Sequence, residues 1–307
     1  MNNLAETNPH LADLNTDMLY HLGFNSKDNL KEMFGDVRYV VMHGANHRAG
    51  DFAHTLNDTM AKDFANAAGE SMGADMSEDE LKPLGSTDRF FLYKVGDVIS
   101  VSHGMGQPSH SILLHEVTKL LAHAGVKNVE YFRLGTSGGI GVEPGTIVLS
   151  ENGVDPSGEA QYKLHRLGEL VNVAPTNFDP ELVGKILDVR DDISVVLGNT
   201  SSNNDFHYEQ ARMDGAYCDF TKDEQQAYLA RMHDKGVRNF EMEAAGFASF
   251  CNRLGIPAAC MCVTLLNRFE GDQVDLDPVT YADYCSRPWK LMMNYLKMAH
   301  AQPAVEV

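Results

Sequence analysis

Apolar positions along the chain come in short runs that alternate with helical stripes. Val37 to Met42 (VRYVVM) is a β-branched run, and an amphipathic stretch follows from about Asp51 to Ala68. RFFLYKVGDVISVSHGMG reads as two apolar strands joined by a turn at Gly96 and Asp97. Pro108 and Ser109 open a helix whose Ile112, Leu113, Val117, Leu120 and Leu121 share one face, and Gly125 stops it. Further strands are expected at Val126 to Leu134, Thr146 to Ser150, Ser194 to Thr200, Arg238 to Met242 and Ala258 to Leu266. Helices are expected near Pro180 to Leu187, after Glu243 as far as Gly255, and from Pro278 to about Met298. Such alternation predicts an α/β fold with a parallel or mixed sheet covered on both sides and ligand loops at the carboxyl ends of its strands.

No Pro/Gly/Ser-rich linker or internal repeat divides the 307 residues, so one domain is expected, with residues 1 to 36 as an amino-terminal arm. The stretch from Ala61 to Gly85 is polar and acidic and reads as helix end and loop. A net charge of −18 argues against a nucleic-acid partner, which would need a basic face. MNNLAETNPHLADL lacks the features of a secretory signal, and no uninterrupted apolar span of membrane length follows, so a cytoplasmic protein with no membrane partner is expected. Five cysteines fit reduced thiols; Cys260 and Cys262 share a strand face but lack ligands at metal spacing, so no metal is expected.

In so acidic a chain, arginines beside glycine turns carry information. RLGTSGGIG (Arg133 to Gly141) ends an apolar run in small residues. Arg133, Thr136 and a nest of backbone amides would suit a phosphate, while a tight turn with Arg133 paired to a surface carboxylate is the plain alternative. Gly44 and Arg48 repeat the pattern after the first strand. Arg89 reads locally as a solvated edge charge and His21 as a packed or surface histidine. Phe206, Gln210 and Arg212 gather an aromatic ring, an amide and a guanidinium suited to a planar heterocycle, or make an ordinary polar loop. At a strand end, Glu241 and Glu243 would face opposite ways, one towards a site and one towards solvent; a carboxylate there could hold two sugar hydroxyls or complement a helix dipole.

The chain resembles the uridine phosphorylases of eukaryotic type, within the nucleoside phosphorylase family. The resemblance runs through LYHLGF, FGDVRYVVMHGANHR, TDRFFLYKVGDVISVSHGMGQPSHSILLHE, RLGTSGGIGVEPGTIV, QARMDGA, EMEAAGFA and CVTLLNRFEGDQ. It implies a three-layer α/β/α fold with a central mixed sheet and reversible phosphorolysis of uridine to uracil and ribose 1-phosphate. Inorganic phosphate would be the co-substrate, with no other cofactor. Carried over by position, Gly44, Arg48, Arg133 and Thr136 would bind phosphate, with Arg89 supplied by a neighbouring subunit. Met242 and Glu243 would hold the ribose, with His21 of the partner near its 5′ end. Phe206, Gln210 and Arg212 would hold uracil, with Leu265 and Leu266 at its other face. A homodimer with shared active sites is implied. Relatives often carry glycine where this chain has His43 and Glu209, and a serine pair where it has Ala244 and Ala245; a left-handed backbone at position 209 would shift Gln210. Rival readings are a purine nucleoside phosphorylase, a nucleosidase that uses water, and a catalytically silent nucleoside-binding homologue.

Overall fold

The structure, a computed structural model, describes residues 7–68 (61–68 as backbone only), 81–85 and 87–301. Residues 69–80 of the polar stretch expected between Ala61 and Gly85 therefore lie outside the described residues. The chain forms two compact units, one comprising the residues up to Arg133 together with Arg253–Pro257, the other Leu134–Asn252 together with the residues from Ala258 onward.

In the first unit the arm makes a small antiparallel pair, β1 (Met18–Leu19) and β2 (Phe24–Asn25), and a short helix α1 (Leu30–Phe34). Strand β3 (Tyr39–His43) is buried at every position, as a parallel strand covered on both faces should be. It pairs in parallel with β5 (Val98–Ser102), which pairs antiparallel with β4 (Leu92–Val95) across the expected Gly96-Asp97 turn. Helix α2 (Asn46–Ala68) starts one turn earlier than periodicity indicates, which places Arg48 in its first turn. Helix α3 (Gln107–His123) buries Leu113, Leu114, Val117, Leu120 and Leu121 and ends before Gly125, whose φ is 83°.

A second stripe of α3, spaced i, i+3, i+7, fastens the arm. Glu116 Oε1 meets His21 Nδ1 at 2.6 Å, and Glu116 Oε2 accepts from the amides of His21 and Leu22 at 2.9 and 3.0 Å. Lys119 and His123 meet the two oxygens of buried Asp17 at 2.6 and 2.9 Å. Hydrophobic periodicity does not register this polar stripe, because only the arm's arrival gives it a partner.

Strand β6 (Glu130–Gly139) begins in the first unit and ends in the second. It starts later than expected and runs on through the glycines, so the expected nest of turn amides at Gly135 to Gly139 is replaced by extended backbone. The cause is pairing: Gly139 and Gly138 oppose Asn239 and Phe240 of β11 (Val237–Glu241). A Cβ on Gly138 would stand 3.1 Å from Arg268 Cδ, so glycine there makes room for the buried arginine.

In the second unit β10 (Val195–Ser202) pairs in parallel with β7 (Ile147–Val154) and with β11, and β12 (Ala258–Asn267) pairs antiparallel with β7, so the sheet is mixed. Ile140, Val154, Leu229, Met232, Val237 and Phe240 form a core cluster beneath α5 (Lys222–Asp234), which a Thr221/Glu224 capping box starts. Helices α4 (Pro180–Asp188), α6 (Ala244–Leu254) and α7 (Pro278–Ala301) appear close to their expected spans. The hairpin β8 (Lys163–Arg166) and β9 (Glu169–Asn172) was not expected, since its residues are mostly exposed and lack an apolar alternation tied to a core.

Asp17 yields a pH prediction. Burial raises its pKa, but hydrogen bonds and charge from Lys119 and His123 outweigh that and leave it below the usual carboxylate value. A carboxylate with a depressed folded pKa stabilises above its unfolded pKa, near 4, and that stabilisation is lost as pH falls through the folded value. Asp17→Asn should destabilise by about 2 kcal/mol at pH 7, and urea unfolding should show the gap to the unmutated protein shrinking below about pH 4. An equal gap at pH 7 and pH 3 would remove the charge of Asp17 as its source.

Candidate functional site

The expected anion residues of the first unit gather around buried histidines. Gly44 follows β3, and a Cβ on it would meet Gly104 O at 3.6 Å and the His103 ring at 4.0 Å. His103 and His110 lie with ring centroids 4.4 Å apart, and His43 is likewise wholly buried. Burial and then the charge of Arg48 push His43 down to about 3. His103 and His110 are held well below the ordinary value, first by burial and then, among other charges, by Arg133. All three rings are thus neutral near pH 7 and contribute dipoles rather than charge, leaving Arg48 and Arg133 as the cations there. Arg133 is itself only 4% exposed, so its guanidinium is far less screened than a surface charge. Arg133 is therefore not a surface charge. Arg89 lies exposed in the bend before β4, its backbone N–H donating to Thr87 Oγ1 at 3.1 Å. His21 is held against α3 by Glu116.

The second unit carries the remaining candidates. Thr136 is half-buried on β6. Residues 206–211 form one irregular turn after β10. There the Arg212 guanidinium lies 4.4 Å from the centre of the Phe206 ring, a cation–π contact that joins two of the three expected base-holding residues. Asp214 grips Arg212 in a bidentate pair, Nε at 2.9 Å and Nη2 at 2.6 Å, which fixes the fork's orientation. Gln210 is 2% exposed, and its Nε2 has no hydrogen-bond partner among the described residues. A buried donor left unmatched costs roughly 1 to 3 kcal/mol, so a partner carbonyl brought by a ligand would recover that cost.

Glu209 does not take a left-handed backbone: among the described non-glycine residues only Leu167, Asp191 and Ala211 have positive φ, and Ala211 at 49° stands one residue beyond Gln210.

Met242 and Glu243 follow β11, and Glu243 is 4% exposed. The expectation that one of Glu241 and Glu243 faces solvent is corrected, for Glu241 is buried too. It accepts from Ser202 Oγ at 2.7 Å, Glu243 N at 2.8 Å and Ala244 N at 2.9 Å, so it is Glu241 that complements the start of α6. Gly153 lets β7 lie against the start of α6, since a Cβ on it would stand 2.5 Å from Ala245 Cα. Leu265 and Leu266, half-buried and buried, end β12.

Two residues of this region escape single-position reading. Arg268 is wholly buried; its Nη2 donates to Gln210 O at 2.8 Å and Ala211 O at 3.3 Å, and its Nε to Asp272 Oδ1 at 2.7 Å. Asp272 Oδ2 accepts from Met213 N at 2.8 Å and Gln225 Nε2 at 3.0 Å, and the Asp272 carbonyl accepts from Arg212. Their i, i+4 spacing inside NRFEGD is the signal, and it becomes readable only when β12 ends beside residues 210–213. Asp272→Ala should lower unfolding free energy by roughly 3 to 5 kcal/mol, because it strands a buried guanidinium. Urea unfolding checks this, and a loss below about 1 kcal/mol would show that Arg268 finds another partner.

The phosphorylase superfamily model matches residues 40–282. Uridine phosphorylase A of Schistosoma mansoni is 40% identical over 94% of this chain and 95% of its own length. The protein named inactive uridine phosphorylase B of the same organism is 39% identical over the same shares. A crystal structure of uridine phosphorylase from Schistosoma mansoni in complex with 5-fluorouracil is similar at a TM-score of 0.87, with 38% identity, 96% of this chain and 98% of that one covered. The fold is thus the α/β nucleoside phosphorylase type with a mixed sheet. The chain belongs to the phosphorylase superfamily and, within it, to the family of the eukaryotic uridine phosphorylases.

Proposed function

We propose that this chain catalyses the reversible phosphorolysis of uridine to uracil and ribose 1-phosphate. The buried, unmatched Gln210 Nε2 in a turn shared with Arg212 and Phe206 carries the reading, together with relatives named for this activity. A pyrimidine dione presents two carbonyls flanking an N–H. The Gln210 amide donates to one carbonyl and accepts from the N–H, and Arg212 donates to the other carbonyl. Phe206 covers a ring face, with Leu265 and Leu266 opposite. Glu243 accepts from ribose hydroxyls beside Met242.

As the bond from sugar to base stretches, the ribose gains positive character and the uracil negative charge, while phosphate approaches C1′ from the opposite side. No protein nucleophile is required. Gly44, Arg48, Arg133 and Thr136 hold the phosphate, and Arg89 and His21 serve the site of a second subunit in a homodimer. Preorganised donors at Gln210 and Arg212 meet the charge that develops on the base. Phosphate is the co-substrate and no further cofactor takes part. The five cysteines are thiols rather than disulfides, and reduced cysteines support a cytoplasmic setting.

Uracil release should require phosphate or arsenate. Equal release without either would make the enzyme a nucleosidase, and no release with them would make it a silent homologue like the relative named inactive. Cytidine puts an amino group where Arg212 needs an acceptor and should be rejected by about four orders of magnitude in kcat/KM.

Gln210→Leu should cut kcat/KM for uridine by roughly a hundredfold or more while the KM for phosphate stays near its original value. Near-normal turnover in this variant would remove Gln210 from base recognition.

Arg89→Ala and Arg133→Ala proteins, each inactive, should regain partial activity when mixed under subunit exchange. No recovery despite proven exchange would place Arg89 in its own subunit's site or in none.

A further inference from the structure

The side chain of Glu209 closes the proposed base turn on itself. Glu209 Oε2 accepts from the amide of Asn204 at 2.6 Å and from that of Asp205 at 3.3 Å, reaching back across the loop that carries Phe206. The carbonyl of Glu209 is held independently, by Asn203 Nδ2 at 3.1 Å and Tyr228 OH at 3.3 Å. Inside the loop Asp205 Oδ1 accepts from His207 N at 2.9 Å and also from Tyr208 N. The next residue, Gln210, is pinned through its carbonyl by Arg268.

The consequence is mechanical. The two ends of residues 204–209 meet through one carboxylate, so the exposed Phe206 ring and the buried Gln210 amide stand on a closed turn rather than on an open loop. A glycine at position 209 would have neither this clasp nor a Cβ to restrict the backbone, and ordering such a loop on nucleoside would cost conformational entropy at each binding event.

We propose that Glu209 is a positioning residue for the base: its carboxylate clasps the amides of Asn204 and Asp205 and presets Phe206 and Gln210 for the pyrimidine ring. This rests on the reading that the turn receives uracil. The effect falls on the nucleoside and not on phosphate, because every clasp contact lies within residues 203–210 and Tyr228.

Two variants and two measurements test it. Glu209→Ala removes the acceptor, whereas Glu209→Gln keeps an oxygen able to take both amides. Hydrogen exchange of the unliganded protein should show the Asn204 and Asp205 amides exchanging about tenfold faster in Glu209→Ala and close to the original rate in Glu209→Gln. In steady-state assays Glu209→Ala should raise the KM for uridine about tenfold, leave the KM for phosphate within about twofold, and be largely rescued by Glu209→Gln. Unchanged exchange in Glu209→Ala, or an unchanged uridine KM, overturns the proposal, as does an equal rise in both KM values, which would signify general loosening. If the unmutated protein neither cleaves uridine nor binds uracil, the assignment of the turn to the base fails and the positioning role with it; the exchange data then show separately whether the clasp exists.

Discussion

Arg268 is a guanidinium with no exposure to solvent, and a charge so placed has to be matched by nearby groups. Burial pulls its pKa down, and Asp272 opposes that effect. The matching groups are the Asp272 carboxylate and the carbonyls of Gln210 and Ala211, so satisfying one buried charge draws two separate stretches of chain together. Gly138 leaves space for the side chain and the Phe240 ring lies 5.4 Å from its guanidinium carbon. The base turn is thereby held by a constraint that operates whether or not substrate is bound.

That constraint accounts for how irregular backbone can present a defined surface. Residues 206–211 contain no regular structure, and Ala211 adopts a left-handed conformation that costs an ordinary residue roughly 1 to 2 kcal/mol. The turn persists because Arg268 and Asp272 fix its far end, Asn203 and Tyr228 fix the Glu209 carbonyl, and Asp214 orients Arg212. Among the described residues the Gln210 Nε2 and the Arg268 Nη1 are buried here without a hydrogen-bond partner. A different economy governs the first unit, where burial keeps three histidines neutral beside Arg48 and Arg133. Arg133 is there a poorly solvated cation among neutral dipoles, in a chain whose net charge is −18.

Much of this was legible in the sequence because it depends on local rules. Alternating apolar runs located β3, β5, β7, β10, β11 and β12, and glycine stops located the end of α3. The order of motifs from LYHLGF to CVTLLNRFEGDQ identified the family, and Phe206 with Arg212 was legible as a pair since both fall in one short irregular segment. The errors have local causes as well. RLGTSGGIG looks like a turn because glycine is rare in strand interiors, yet here glycine serves a neighbouring arginine and a paired strand. That one of Glu241 and Glu243 would face solvent was expected because that reading takes no account of the helix that begins at Ala244 and needs an acceptor for its amides.

The sequence by itself determined the α/β class, the strand and helix order and the inventory of site chemistry, since hydrophobic periodicity, turn residues and motif order are properties of neighbouring positions. Tertiary structure alone decided which polar groups are matched and by which partners: Asp17 by Lys119 and His123, Glu116 by the arm, Arg268 by Asp272 and the carbonyls of Gln210 and Ala211, and the amides of Asn204 and Asp205 by Glu209. The physical reason is that the energy of a polar group depends on what surrounds it. Desolvation sets the cost of burial, and the partners that offset it come in most cases from parts of the chain that sequence distance does not bring together.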